Sequence, residues 1–286
     1  MSGIKRITIC DIEPLVPKVV TPMFGRVNYH VVDGIDRENP VTVNGKKVTV
    51  IYDDGRHYIS TLSPDKKFDV ITSDPIDPWV KGCAALNTIE YYQTCKRHLK
   101  PGGVMSLWIP LYESTMASSK SMIATFFEVF PGGMIFSNDE NYMGYDAVLL
   151  GRADKSRIDM DNVRSILAQD DYAPVRESLS DVGFGYSGTD WGEPAGLDIA
   201  VNLFSTYAGQ ASDLQDWTRN AQINRDSNLR LQYLAGMGYN SDMRTEILQS
   251  ILMYYHFPDD LFTGSPQTIW DLKSSLRYGG RISGQQ

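Results

Sequence analysis

No apolar run approaches the ~18 residues that a membrane-spanning helix requires, so the sequence predicts no bilayer crossing. The opening Met1-Ser2-Gly3-Ile4-Lys5-Arg6 lacks the apolar stretch of a secretory signal. Cysteine is scarce: Cys10, Cys83 and Cys95 are odd in number and show no paired spacing. That excludes a disulfide framework and a zinc finger, and it predicts a reducing, cytoplasmic setting. The four histidines, His30, His57, His98 and His256, share no ligand spacing, so no metal site is expected. Positive charge is also in deficit. Twenty-seven Lys and Arg face 35 Asp and Glu, and the net charge of −8 argues against nucleic acid and suits a cationic partner. Repeats, low-complexity tracts and charge blocks are absent. What remains is ordinary globular material, 42% hydrophobic and 22% charged, and 286 residues suffice for one large domain or one domain with an appendage.

Acidic residues gather where strands should end. Lys5 to Cys10 reads as a strand closed by Asp11, and Val48 to Tyr52 as another closed by Asp53-Asp54-Gly55. Phe68 to Ser73 reads as a third, closed by Asp74-Pro75-Ile76-Asp77-Pro78. In open α/β sheets, ligands lie beyond the carboxyl ends of strands. A carboxylate there can accept both hydroxyls of a ribose, and an Asp-Gly step lets backbone approach a purine edge. Proline after each acid of the third group stiffens the loop that carries Asp74 and Asp77. A turn with merely capping aspartates is the plain alternative for any one of these ends. Three in succession point to an adenosine site.

The series Ile9-Cys10-Asp11-Ile12-Glu13, Asp53-Asp54-Gly55-Arg56 and Asp69 to Pro78 resembles the spermidine synthase family of aminopropyltransferases. The run from Tyr91-Tyr92 to Leu99-Lys100-Pro101-Gly102-Gly103-Val104 is similar to the helix and strand that follow there. Trp79-Val80-Lys81-Gly82 and Trp108 to Ser114 look closest to the bacterial branch whose synthase-like domain is fused to transporter-like membrane helices. The resemblance covers residues 4–151, with a weaker echo at Asn224-Arg225-Asp226-Ser227. It implies that Asp11 holds the ribose of decarboxylated S-adenosylmethionine, the co-substrate, and that Asp54 and Gly55 contact adenine. It implies further that Asp74 takes the proton of the attacking amine and that Asp77 steadies a putrescine-like substrate. Tyr91 or Tyr92 falls near the amine channel, although for each a ring packed on a helix face is the stronger reading. Asp77 follows the true synthases rather than the fused branch.

The chemistry suits these residue types. A neutral amine attacks a carbon beside a sulfonium, and a carboxylate can attract the ammonium form and accept its proton. Neither a metal nor a nucleophilic side chain is required. One part of the pattern is missing: no Gly-rich first strand precedes Asp11, and Pro131-Gly132-Gly133 follows the wrong elements to replace it. The expected fold is therefore α/β, a Rossmann-like sheet of the S-adenosylmethionine-dependent methyltransferase type lacking its first strand, with a C-terminal helical extension. Three sources for the missing strand stay open, a longer reading frame upstream, another chain, or none, and a membrane-spanning partner or a homodimer is compatible with each. Two further functions stay open, a methyltransferase and a non-catalytic polyamine- or nucleoside-sensing domain. Paired carboxylates favour an amine over a methyl acceptor.

Domain limits are expected at 1–151 for the core and 152–286 for the extension. Pro14 to Pro22 reads as a helix interrupted at Pro17, and Val41 to Val48 as a hairpin turning at Asn44-Gly45. Ile89–Leu99 and Met116–Phe130 read as helices, with Val104–Ile109 and Ala147–Leu150 as strands. Beyond Gly151, Met160–Ala168, Leu197–Tyr207, Leu214–Ala221 and Met243–Tyr255 read as helices. The Gly-rich stretch 183–196 with Tyr186 and Trp191 reads as a loop, over the crevice or simply at the surface.

Overall fold

The computed structural model describes residues 3–26, 41–43, 46–138, 143–154, 157–185 and 199–276. The chain divides into two compact units, residues 1–64 and 65–286.

In the first unit, β1 (Arg6–Asp11) runs parallel to β3 (Lys46–Tyr52), which pairs antiparallel with β2 (Val41–Val43). Alternation sets the faces: Val48 and Val50 are fully buried, with Ile7, Ile9 and Tyr52 packed on them. The expected hairpin forms with Val43 opposite Lys46, while its turn at 44–45 lies outside the described residues. The expected helix over 14–22 is a loose π turn, Val16–Val20, running into the single-turn helix α1 (Thr21–Met23). Pro17 and Pro22 donate no N–H, and the Thr21 N–H reaches back five residues to Val16 O. After β3, α2 (Gly55–Thr61) starts at once.

The second unit is built on β4 (Phe68–Ser73), β5 (Leu99–Pro110), β6 (Met134–Asn138) and β7 (Asp146–Arg152). A two-residue ladder joins β8 (Ile158–Asp159) to β10 (Phe262–Thr263), and β9 (Tyr207–Gln210) completes the main sheet. The order is β4-β5-β7-β6-β9. α3 (Ile89–Arg97) crosses from β4 to its parallel neighbour β5, and the other pairings are antiparallel. On β5, Met105, Leu107 and Ile109 alternate into the core and are fully buried. The register slips where Phe68 faces Leu99 but Val70 faces Val104, because Pro101-Gly102-Gly103 bulges out, with Gly102 at φ 74°. Helix α4 (Met116–Val129) opens with a Thr115–Ser118 capping box and packs Ile123 and Phe126 inward with Phe130.

Past Gly151 the chain is mainly helical, as expected: α5 (Met160–Ala168), α6 (Ala173–Asp181), α7 (Ile199–Phe204) and α8 (Gln215–Thr218). They are followed by α9 (Arg230–Gly238), α10 (Arg244–Leu252) and α11 (Pro266–Ser275). One departure is the helix expected to reach Tyr207. It stops at Phe204, and Tyr207 enters β9, which extends the core sheet beside β6. A fully buried Tyr207 ringed by Phe136, Tyr255 and Phe262 explains it, since packing overrides local propensity. Residues 186–198 of the Gly-rich loop, with Tyr186 and Trp191, lie outside the described residues.

Among the described residues, β1 bonds only to β3 and β4 only to β5, so each is an edge of its own sheet. The architecture is α/β and Rossmann-like. No described helix is long and apolar enough to cross a membrane.

Candidate active site

The first unit carries one group of carboxylates at the carboxyl ends of two paired parallel strands. Asp11 ends β1, and its Oδ1 accepts the Glu13 N–H at 2.8 Å. Its carbonyl accepts the Asp53 N–H at 3.2 Å, which ties the two strand ends together. Asp54 caps α2, its Oδ1 accepting the His57 N–H at 2.8 Å. Gly55 has nothing within 4 Å of where a Cβ would sit, so its backbone is open to a close neighbour. Asp53 binds His57 Nδ1 at 2.8 and 3.0 Å and accepts the Asp54 N–H at 2.9 Å. Beside them the Cys10 thiol donates to Asp53 O at 3.3 Å, and burial followed by the Asp53 and Asp54 charges pushes it up to about 11. It is a poor nucleophile there.

The second unit carries the other group. Asp74 follows β4 directly, and its carboxyl is raised above the ordinary range, by partial burial first and then by Asp146 and Asp77. Asp77 accepts a hydrogen bond from Tyr112 Oη at 3.3 Å. The Tyr112 hydroxyl is itself pushed up, by burial and then by the Asp77 charge, so it stays a donor. Rings surround this pair: Tyr112 lies 6.1 Å from Trp79, 6.1 Å from Trp108 and 5.0 Å from Tyr145, and Trp79 lies 5.9 Å from Tyr239. Trp108 Nε1–H donates to Asp146 Oδ2 at 2.9 Å. Carboxylates beside π faces suit an organic cation.

The acidic loop is held from behind by distant residues. Gln232 on α9 accepts the Gly82 N–H at 3.0 Å and donates to Trp79 O at 3.2 Å and Pro78 O at 3.4 Å. Asn224, fully buried, donates to Ala84 O and Asn87 O at 2.8 and 2.9 Å and accepts the Leu231 N–H at 3.1 Å. The two tyrosines of α3 differ. Tyr91 Oη reaches Ser73 Oγ at 3.5 Å, next to Asp74, whereas Tyr92 is fully buried and spends its hydroxyl on Asn87.

Thus Asp11, Asp54 and Gly55 share the first unit, and Asp74, Asp77 and Tyr91 the second. Asp146, Gln232 and Tyr239 were not foreseen. Asp146 announces itself only as a charge at the start of an apolar strand, and the other two lie far along the chain, Gln232 on α9 and Tyr239 directly after it. Among the described residues no group of three or more His, Cys, Asp or Glu could hold a metal ion.

Residues 2–136 match a family model described as the spermine/spermidine synthase domain. Over 70 residues the chain is 36% identical to the polyamine aminopropyltransferase of Enterobacter sp. (strain 638), covering 24% of this chain and 23% of that protein. The chain thus matches about a quarter of the length of that curated relative. Spermidine synthase from Thermotoga maritima superposes with a TM-score of 0.39 at 18% identity, over 54% of this chain and 47% of that one. A probable spermidine synthase from Corynebacterium glutamicum ATCC 13032 does so at 0.41 and 18%, over 77% and 72%. The family match spans all three acidic strand ends, at Asp11, Asp53-Asp54 and Asp74.

Proposed function

We propose that the chain is an aminopropyltransferase domain acting on a putrescine-like amine, with decarboxylated S-adenosylmethionine as donor. The observation that carries this reading is the Asp74–Asp77 pair at the end of β4, with Tyr112 bonded to Asp77 and Trp79 and Trp108 packed beside Tyr112. The carboxylates draw in the ammonium and the rings favour its charge. Asp74, with its proton affinity raised, accepts the proton of the attacking nitrogen. The new bond joins that nitrogen to the methylene carbon beside sulfur. The carbon–sulfur bond breaks and its electrons neutralise the sulfonium, leaving methylthioadenosine. Asp77, fixed by Tyr112, orients the amine for in-line approach. In this reading Asp11 offers its second carboxylate oxygen to the ribose, and Asp54 and the open Gly55 backbone contact adenine. A methyl acceptor would have no use for two carboxylates, which sets the methyltransferase reading aside.

The test is transfer of a labelled aminopropyl group to putrescine, followed by chromatography. Wild type should give labelled product, and Asp74→Asn should lose roughly 100-fold or more in kcat with the amine still bound. Unchanged turnover in Asp74→Asn would refute the assignment. Among the described residues β1 pairs on one side only, which supports a second reading, binding of nucleoside and amine without transfer. Calorimetric heat on adding methylthioadenosine, with no product at any donor concentration, would select it.

A further inference from the structure

We propose that Asp146, held by the Trp108 indole, is a positioning residue that tunes Asp74 as the proton acceptor. This rests on the aminopropyl-transfer reading of the acidic loop. The placement follows from register. β5 lies between β4 and β7, with Ser73 opposite Leu107 and Asp146 opposite Pro110. Trp108 therefore sits on the middle strand, one residue beyond Leu107, at the level where β4 gives way to Asp74. Its N–H fixes the Asp146 carboxylate at 2.9 Å, and Asp146 is only 8% exposed, so water screens its charge poorly.

Among the described residues, two carboxylates influence Asp74, and hydroxyls stand beside them. Asp77 comes from its own loop, and Tyr112 follows β5 and bonds Asp77. The Tyr91 and Ser73 hydroxyls approach from α3 and β4, and Asp146 comes from β7. Of these, Asp146 and Asp77 act directly on the Asp74 carboxyl, and both oppose its ionisation. Asp77 also steadies the substrate. Asp146 is committed to Trp108, so its remaining role is to hold a fixed negative charge near the base. A base with greater proton affinity takes the amine proton more completely as the bond forms.

The test titrates the Asp74 carboxyl carbon by NMR in wild type, Asp146→Asn and Trp108→Phe, alongside the pH dependence of kcat/KM. Asparagine keeps the shape and an oxygen for the indole N–H while removing the charge. Phenylalanine keeps the ring and releases Asp146. Both variants should lower the Asp74 midpoint, and the acid limb of kcat/KM should move with it. A purely structural Asp146 would lower the melting temperature and leave both midpoints in place. An unmoved Asp74 midpoint in both folded variants overturns the proposal, even where wild type transfers aminopropyl groups. A midpoint that falls in variants of a protein with no transferase activity upholds the role of Asp146 and removes the transfer reading instead.

Discussion

Asn224→Ala tests whether the acidic loop depends on a support far away in the chain. The side chain satisfies three backbone groups, the carbonyls of Ala84 and Asn87 and the N–H of Leu231. All three bonds are between 2.8 and 3.1 Å, and the residue is completely buried. Each such bond contributes about 1 kcal/mol net, and a buried group left unpaired costs about 1–3 kcal/mol, so truncation should cost roughly 3–5 kcal/mol. That would be a fifth or more of the stability of an ordinary domain at ~5–15 kcal/mol. Asn224→Asp should fare no better, because it sets a carboxylate against two carbonyl oxygens. Urea unfolding followed by the fluorescence of Trp79 and Trp217 measures the change from the shift in midpoint at constant slope. Since residues 84–87 lead from the acidic loop into α3, kcat should fall with stability even at temperatures where the variant stays folded. A loss below about 1 kcal/mol would show that water or neighbouring groups take over these bonds, and the argument from satisfied buried polar groups would fail.

Three further outcomes are expected. Asp74 has a raised folded-state pKa, so its stabilising contribution is complete below the unfolded carboxylate value of about 3.9 and is lost as pH rises through the higher folded value. Asp74→Asn should therefore melt higher than wild type at pH 7, with the gap closing near pH 4; an equal or lower melting temperature at pH 7 would contradict this. Asp54→Ala removes the cap of α2 and should cost ~1 kcal/mol by denaturant unfolding, with methylthioadenosine binding weakened as well. Gln232→Ala unpins the backbone of residues 78–82 and should raise KM for the amine about 3- to 10-fold with a smaller change in kcat, since Asp74 itself is untouched. A fall in kcat alone would refute that division.

Much of this was legible because acid and strand were adjacent in sequence. Apolar runs ending in Asp11, Asp53-Asp54 and Asp74 mark elements whose ends carry charge, and β1, β3 and β4 form there. Ile89–Arg97 and Met116–Val129 became helices because period, cap and stop agreed. β6 went unread because Met134–Asn138 is short and follows a turn, and β9 because Tyr207 looked like the tail of a helix. Asp146, Gln232 and Asn224 act across separations of 38 to 154 residues. No local pattern encodes a hydrogen bond of that span. The aromatic wall was half visible, as Trp79 and Trp108 stood in quoted motifs while Tyr145 and Tyr239 did not.

Within its own unit and among the described residues, β4 pairs on one side only, and that bears on how the protein must be handled. Backbone donors and acceptors along one side of a parallel strand invite any extended chain to dock, and Val70, 62% exposed, offers grease at its centre. Asp69, its side chain 79% exposed, sits on that margin with its charge paired to Lys100 at 2.8 Å. Salt screens that pair, leaves Val70 to set the character of the margin and turns a concentrated sample toward self-association.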